Sequence, residues 1–247
     1  MAISISLRAE PVRRLQGRRA VVVAVLAAIT FVAAGMGASM SPLFSARSIE
    51  VSGRGHHLPR SRIVELAGVS RGTNVLWLDE GAVERRLEAE AWIARADVVG
   101  AFPSTVRISV IERTPVAVAS DGVQTWLMAG DGTSLGVTGR RATLPFIRFT
   151  ARGTVEGRIV GPVGAARALG AMSPALRDRV GRVLVQLDGT LEIRFDDGPV
   201  ARYGAPSDVE AKAHAIAGVL RWADAQGERI VRFTVTTPRA PAVILAD

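Results

Sequence analysis

Cysteine is absent from the 247 residues, and the chain holds one lysine, one tyrosine and three histidines. No disulfide and no thiolate metal ligand can therefore form. His56 and His57 are adjacent in a turn flanked by Gly and Pro, and His214 stands far away; no carboxylate spacing completes a His-x-x-x-His set, so no metal site is expected. No phosphate-cradling loop ends in Gly-Lys-Ser/Thr. Asp196 and Asp197 share a hairpin turn, where aspartate serves local backbone bonding and adjacent carboxylates point apart. The lone Lys212 follows a helix start and reads as a surface salt bridge or a packing stem. No catalytic residue and no cofactor site are expected. Nor is nucleic acid an expected partner. Of the formal charge of +8, Arg8, Arg13, Arg14, Arg18 and Arg19 against Glu10 account for +4, and the remaining +4 is spread without a basic block interleaved with aromatics.

What is present begins with a charge-free run from Ala20 to Ser39, whose only polar side chains are Thr30 and Ser39. Twenty residues at about 1.5 Å each match the roughly 30 Å hydrocarbon core of a bilayer. The arginines before it, and none after it until Arg47, place the N-terminus in the cytoplasm and residues 1–19 against anionic lipid headgroups. A cleaved secretion signal is the rival, since Gly37-Ala38-Ser39 is small enough for a cleavage site, but the apolar run exceeds the usual signal length. One crossing at 20–40 and an exterior of about 200 residues follow.

The exterior divides at Glu112-Arg-Thr-Pro115. Before it, Arg47–Val51 alternates as a strand, Pro59 starts a short helix stopped by Gly68, and Asn74–Leu78 reads as a short strand. Asp79 is an N-cap for a helix with Val83, Leu87 and Ala91 inward, Glu84 and Glu88 being solvated decoration. Two strands, Ile93–Val99 and Thr105–Val110, turn at Phe102-Pro-Ser104, and Trp92 is a packing anchor. The order is strand, helix, helix, strand, strand, with both helices on one face of a small sheet. Residues 116–238 form a second unit. Val116–Ser120 and Thr125–Ala129 make a hairpin, Leu144–Phe149 is an edge or a strand start at Pro145, and 153–164 is loop. A helix at Ala165–Met172 precedes an antiparallel meander of Arg182–Leu187, Thr190–Phe195 and Pro199–Tyr203. Ser207–Glu210 is a capping box for a helix carrying Val209, Ala213, Ile216 and Leu220, with His214 beside that stripe. The strand Ile230–Thr236 alternates, with Val231, Phe233 and Val235 on one side and Arg232, Thr234 and Thr236 on the other. Residues 239–247 are a tail in which Ala242–Leu245 can add a short strand.

The anchor followed by Phe44–Gly53 resembles the entry to a POTRA domain, and specifically that of the bacterial cell-division family FtsQ/DivIB. Glu90–Val98 with its Trp92, then Phe102-Pro-Ser-Thr-Val-Arg-Ile-Ser-Val-Ile-Glu-Arg-Thr-Pro-Val116, is similar to the most recognisable stretch of that family. The hairpin at Asp197-Gly198, the helix with Lys212 and the strand 230–235 extend the likeness, with a weak patch at about 140–162. The resemblance implies an α+β fold: one transmembrane helix, a POTRA domain (β-α-α-β-β) at 44–115, and a mixed α/β domain with an antiparallel sheet at 116–238. It also implies a non-enzymatic septal scaffold in a bacterial inner or plasma membrane. The implied partners are small bitopic divisome proteins with periplasmic coiled coils, other septal division proteins and membrane lipid. It implies, finally, that the terminal strand receives a partner strand, on Arg229, Ile230, Val231, Arg232, Phe233, Thr234, Val235 and Thr236, where Thr236-Thr237 stand in place of the basic and aromatic pair of some relatives. A POTRA-bearing export or assembly factor is the alternative, though such proteins commonly carry tandem repeats and a barrel.

Overall fold

The computed structural model describes residues 13–53, 57–139, 143–150, 154–155, 158–159 and 161–246. Arg8, Glu10, His56 and residues 151–153, 156–157 and 160 lie outside the described residues. Helix α1, Arg13–Ser39, is 27 residues long, and Val21–Ser39 within it is long and apolar enough to cross a membrane. Every side chain from Val21 to Ala38 is exposed, so this is not the core helix of a soluble unit. Thr30 returns its hydroxyl proton to the Leu26 carbonyl at 2.9 Å, which satisfies the one polar group in mid-span.

A 3-10 turn at Pro42–Phe44 leads into the first exterior unit. Its elements are β1 (Ser48–Ser52), α2 (Arg60–Ala67), α3 (Glu80–Glu88), β2 (Ile93–Ala101) and β3 (Thr105–Glu112), the expected order. The sheet runs β1-β3-β2, with β1 parallel and β2 antiparallel to β3. Ile63, Ala67, Val83, Leu87, Ile93, Val98, Val106, Ile108 and Val110 close its core. Asp79 caps α3 as expected, its Oδ1 accepting from the Ala82 amide at 2.9 Å. Asn74–Leu78 is not a strand: it makes one bridge, Asn74 to Ser45. The reason is local, since the Asn74 side chain accepts from the Leu76 amide at 2.9 Å and turns the backbone.

The second unit has a separate core and a nine-stranded sheet. In chain order come β4 (Pro115–Ser120), β5 (Thr125–Ala129), β6 (Ser134–Val137), β7 (Phe146–Arg148), β8 (Thr154–Val155), β9 (Arg158–Ile159), α4 (Val163–Gly170), α5 (Pro174–Arg177) and β10 (Val180–Val185). After these come β11 (Leu191–Phe195), β12 (Val200–Gly204), α6 (Val209–Gln226), β13 (Ile230–Thr234) and β14 (Ala242–Leu245). The sheet order is β14-β13-β12-β11-β10-β7-β4-β5-β6, and β8 pairs only with β9. The meander β10-β11-β12 is antiparallel as read. The sheet as a whole is mixed, because β7 runs parallel to both β4 and β10, and β13 parallel to β12. Pro145 accordingly marks a strand start, not an edge. Leu191, Ile193 and Phe195 face the core under α4 and α6, while Arg194 is exposed. Helix α4 ends against the β5–β6 turn so closely that a Cβ on Gly170 would lie 2.3 Å from the Gly130 carbonyl.

One reading at α6 is corrected, and another, left between two alternatives, is decided. The capping box is not formed: α6 is entered through Asp208 in the left-handed region (φ 51°), without a side-chain cap. In that geometry the Ser207 hydroxyl no longer faces the third helical amide. Lys212 is no surface bridge. It is 2% exposed, its ammonium donates to the Ala205 carbonyl at 2.7 Å and lies 4.8 Å above the Tyr203 ring. Burial pulls its pKa down, and the Asp208 carboxylate opposes that only in part.

Candidate functional site

A protein without evident chemistry can still bind through backbone, so the sheet edges decide where. Side chains of the first unit cover the β2 edge of its sheet along its length and meet the β1 edge at one carbonyl. Along β2, the outward amides of Ala96, Val98 and Gly100 donate to Glu88, Glu84 and Glu80 at 3.1, 3.0 and 2.6 Å. Residues four apart on a helix share a face, as residues two apart do on a strand. Three glutamates of α3 therefore match three successive edge amides. The reading of Glu84 and Glu88 as solvated decoration is thus corrected: composition shows a charged helix face, and only packing shows what the carboxylates accept. On β1, the Arg60 guanidinium donates to the Ile49 carbonyl. Edges blunted in this way resist strand addition.

The second sheet differs. The strand Ile230–Thr236 was expected to be its edge, and it is not. The observed β13 lies between β12 and β14, and β14 occupies part of the expected tail. Strict alternation also fails. A register shift between Ile230 and Arg232 marks a bulge at Val231, which is 52% exposed while Ile230, Phe233 and Val235 are buried. One extra residue turns the strand by one side-chain position. Of the eight residues expected to meet a partner, Arg229, Val231, Arg232 and Thr236 are exposed, Thr234 is half-buried, and Ile230, Phe233 and Val235 are core.

The sheet ends in β6 on one side and in β14 on the other, so the ladder outside the expected segment belongs to β14. Its Ala246 neighbour donates inward to the Arg229 carbonyl at 2.7 Å, and Ile244 pairs with Arg232. Antiparallel amides alternate in direction, so the amides of Val243 and Leu245 point away from β13. Ile244 and Leu245 are 61% and 39% exposed. The sequence signal for this edge was the four-residue run Ala242–Leu245, too short to rank above the longer strand before it.

Residues 44–113 match the family model described as POTRA domain, FtsQ-type, over the β-α-α-β-β unit just described. This unit is an FtsQ-type POTRA domain. The chain is 28% identical to the cell division protein FtsQ of Mycolicibacterium smegmatis, over 85% of this chain and 62% of that protein. It is equally similar to FtsQ of Mycobacterium tuberculosis, over 86% and 67%, and to FtsQ of an Anaeromyxobacter species, over 93% and 82%. The chain thus spans under two thirds of the first of these relatives. Among solved structures, the major extracytoplasmic domain of the trans isomer of the bacterial cell division protein DivIB from Geobacillus stearothermophilus is similar at 13% identity. That match covers 45% of this chain and 92% of the DivIB chain, with a TM-score of 0.33.

Between the POTRA domain and the second unit, the joint is held by Arg113. It donates to Asp131 Oδ2 at 2.7 Å and to the Ala91 and Ile93 carbonyls at 3.0 and 2.5 Å. Burial alone would raise the Asp131 pKa, but the Arg113 hydrogen bond and the Thr133 donors outweigh it and lower it from the ordinary carboxylate value. A lowered folded-state carboxylate keeps its stabilisation above the unfolded pKa and loses it only as pH falls through the folded one. The joint is accordingly intact throughout the neutral range. Trp92 packs here as expected, its ring stacked on His57 at 3.4 Å, and the Glu112 carboxylate accepts from the His57 and Leu58 amides. His214, by contrast, is exposed and bonds the Glu210 carbonyl of its own helix. Gly68-Val-Ser-Arg-Gly72 spells the spacing of a hydrolase nucleophile elbow, but it leaves helix α2 for a loop instead of joining a strand to a helix.

Proposed function

We propose that this chain is a non-enzymatic membrane scaffold of the bacterial division machinery, anchored by α1. It captures small bitopic division proteins at the division septum and thereby helps recruit and regulate septal peptidoglycan synthesis. The observation that carries the reading is a contrast between edges: the β2 edge of the POTRA domain is covered by Glu80, Glu84 and Glu88, whereas β14 presents outward amides beside Ile244 and Leu245. Strand addition there supplies backbone bonds for affinity and alternating side chains for specificity. The exposed Arg229, Val231 and Arg232 flank that edge, so the expected binding segment is kept as a supporting surface while the ladder itself moves to β14.

The test is Leu245→Pro in the full chain. Proline removes an outward donor while sparing the inward bonds of Ile244 and Ala246, and edge strands tolerate it. Capture of the cell's own small bitopic division proteins is expected to fall at least about tenfold, roughly 1.4 kcal/mol, with the melting temperature unchanged. Full capture by the folded variant moves the interface off this edge.

We further infer a cytoplasmic N-terminus from the arginines ahead of Val21. A reporter active only in the cytoplasm is expected to work ahead of Ala2, and one active only outside is expected to work after Asp247. The opposite pattern reverses the topology.

A further inference from the structure

Large apolar side chains gather at the end of the POTRA domain where α1 enters. Met40, Leu43, Leu76, Trp77 and Phe102 are 71%, 64%, 48%, 65% and 70% exposed. They come from three separate segments that the backbone ties together. Val75 donates to the Phe44 carbonyl and Ala46 to the Thr73 carbonyl, both at 2.8 Å, and Arg47 donates to the Ser104 carbonyl at the same distance. The Phe102 ring lies 5.4 Å from that of Phe44. Exposed singly, such residues need no explanation; five at one end of one domain do.

Two hydrogen bonds say what covers them. Trp77 Nε1 donates to Ser39 Oγ at 3.3 Å, and Asn74 Nδ2 donates to the Ser39 carbonyl at 2.8 Å. Ser39 is the last residue of the candidate span, the depth at which hydrocarbon gives way to headgroups. Tryptophan prefers that layer, because its ring is apolar and its N–H needs a polar partner. Charge agrees. Arg47 and Arg71 are the only charged residues within 39–49 and 69–78, and 101–106 has none. Arg47 and Arg71 thus offer two cations to anionic headgroups, while Asp79 and Glu80, engaged by the Ala82 and Gly100 amides, border the same segments.

We propose that this end of the POTRA domain, through Leu43, Leu76, Trp77 and Phe102, rests in the interfacial layer of the same bilayer that α1 crosses. The proposal depends on the reading of α1 as a membrane anchor. Contact with lipid holds the domain at a set height and tilt, and so fixes the position of the units that follow it relative to the membrane.

The absence of cysteine makes the test clean. Nitroxide labels go on single-cysteine variants of the full chain in lipid nanodiscs: Trp77→Cys, Phe102→Cys, Phe31→Cys in mid-span, and Val123→Cys on the β4–β5 hairpin. Collision with oxygen, which partitions into lipid, is compared with collision with a water-soluble nickel chelate. At 77 and 102 oxygen is expected to exceed nickel, reversing the order at 123. If either site matches 123, the lipid contact is overturned while the anchor stands. If 31 itself reads as aqueous, the anchor reading fails and the contact with it. A second measurement leaves the interface native: brominated lipids are expected to quench the parent chain more than Trp77→Phe. Equal quenching overturns the proposal.

Discussion

Changing Glu80, Glu84 and Glu88 together to alanine is expected to destabilise the POTRA domain by roughly 2–4 kcal/mol and to make the chain self-associate. Each carboxylate accepts from one outward amide of β2, and a bond to a charged acceptor is worth about 1.5–3 kcal/mol. Water replaces part of this, and alanine returns a few tenths of a kcal/mol per position in helix propensity, so the net loss is smaller than the sum. What water cannot replace is the blocking of the edge. Three freed amides on a nine-residue strand are a template for another copy of the same edge. Glutamine at the three positions keeps an acceptor oxygen and is expected to retain the monomer. Sedimentation across a concentration series separates the variants. An alanine triple that stays monomeric and melts with the parent would show that the carboxylates neither stabilise nor protect β2.

Leu87→Ala is expected to cost the same domain about 2–5 kcal/mol, through lost burial plus the cavity left behind. Leu87 is fully buried among Ile63, Val83, Ile93 and Ile108, and no residue of that core belongs to the core of the second unit. The loss should therefore fall on one domain alone. Folded domains commonly hold about 5–15 kcal/mol in reserve, so the variant sits near the unfolding threshold. A fragment of residues 44–113 is expected to melt cooperatively, and its midpoint in urea should drop sharply with Leu87→Ala. A change under about 1 kcal/mol would mean that α3 can collapse into the space, and that the core is looser than its burial indicates.

Several features of this protein were determined by sequence alone. The run from Ala20 to Ser39 is apolar all round, over a length that matches a membrane span. The clean alternation of Thr105–Val110 and of Thr190–Phe195 specified strands with one buried face, and Asp-Gly turns specified their neighbours. Such signals are local: each rests on residues within one turn or one strand of one another. Other features were decided only by tertiary structure. Val231 reads as sharing a face with Phe233 and Val235, yet it is exposed while they are buried, because a bulge against β14 shifts the register. Lys212 reads equally as a surface bridge or a packing stem, and only its burial over Tyr203 decides for the stem. Glu84 and Glu88 read as solvated, yet they close an edge. The strand 230–236 reads as terminal, yet β14 covers it. Periodicity reports which face of a strand is apolar, whereas its edges are backbone amides and carbonyls that every residue but proline carries alike. Nothing in the order of side chains says which edge is filled, so the outer strands, β14 and β6, become visible only when all the strands are in place.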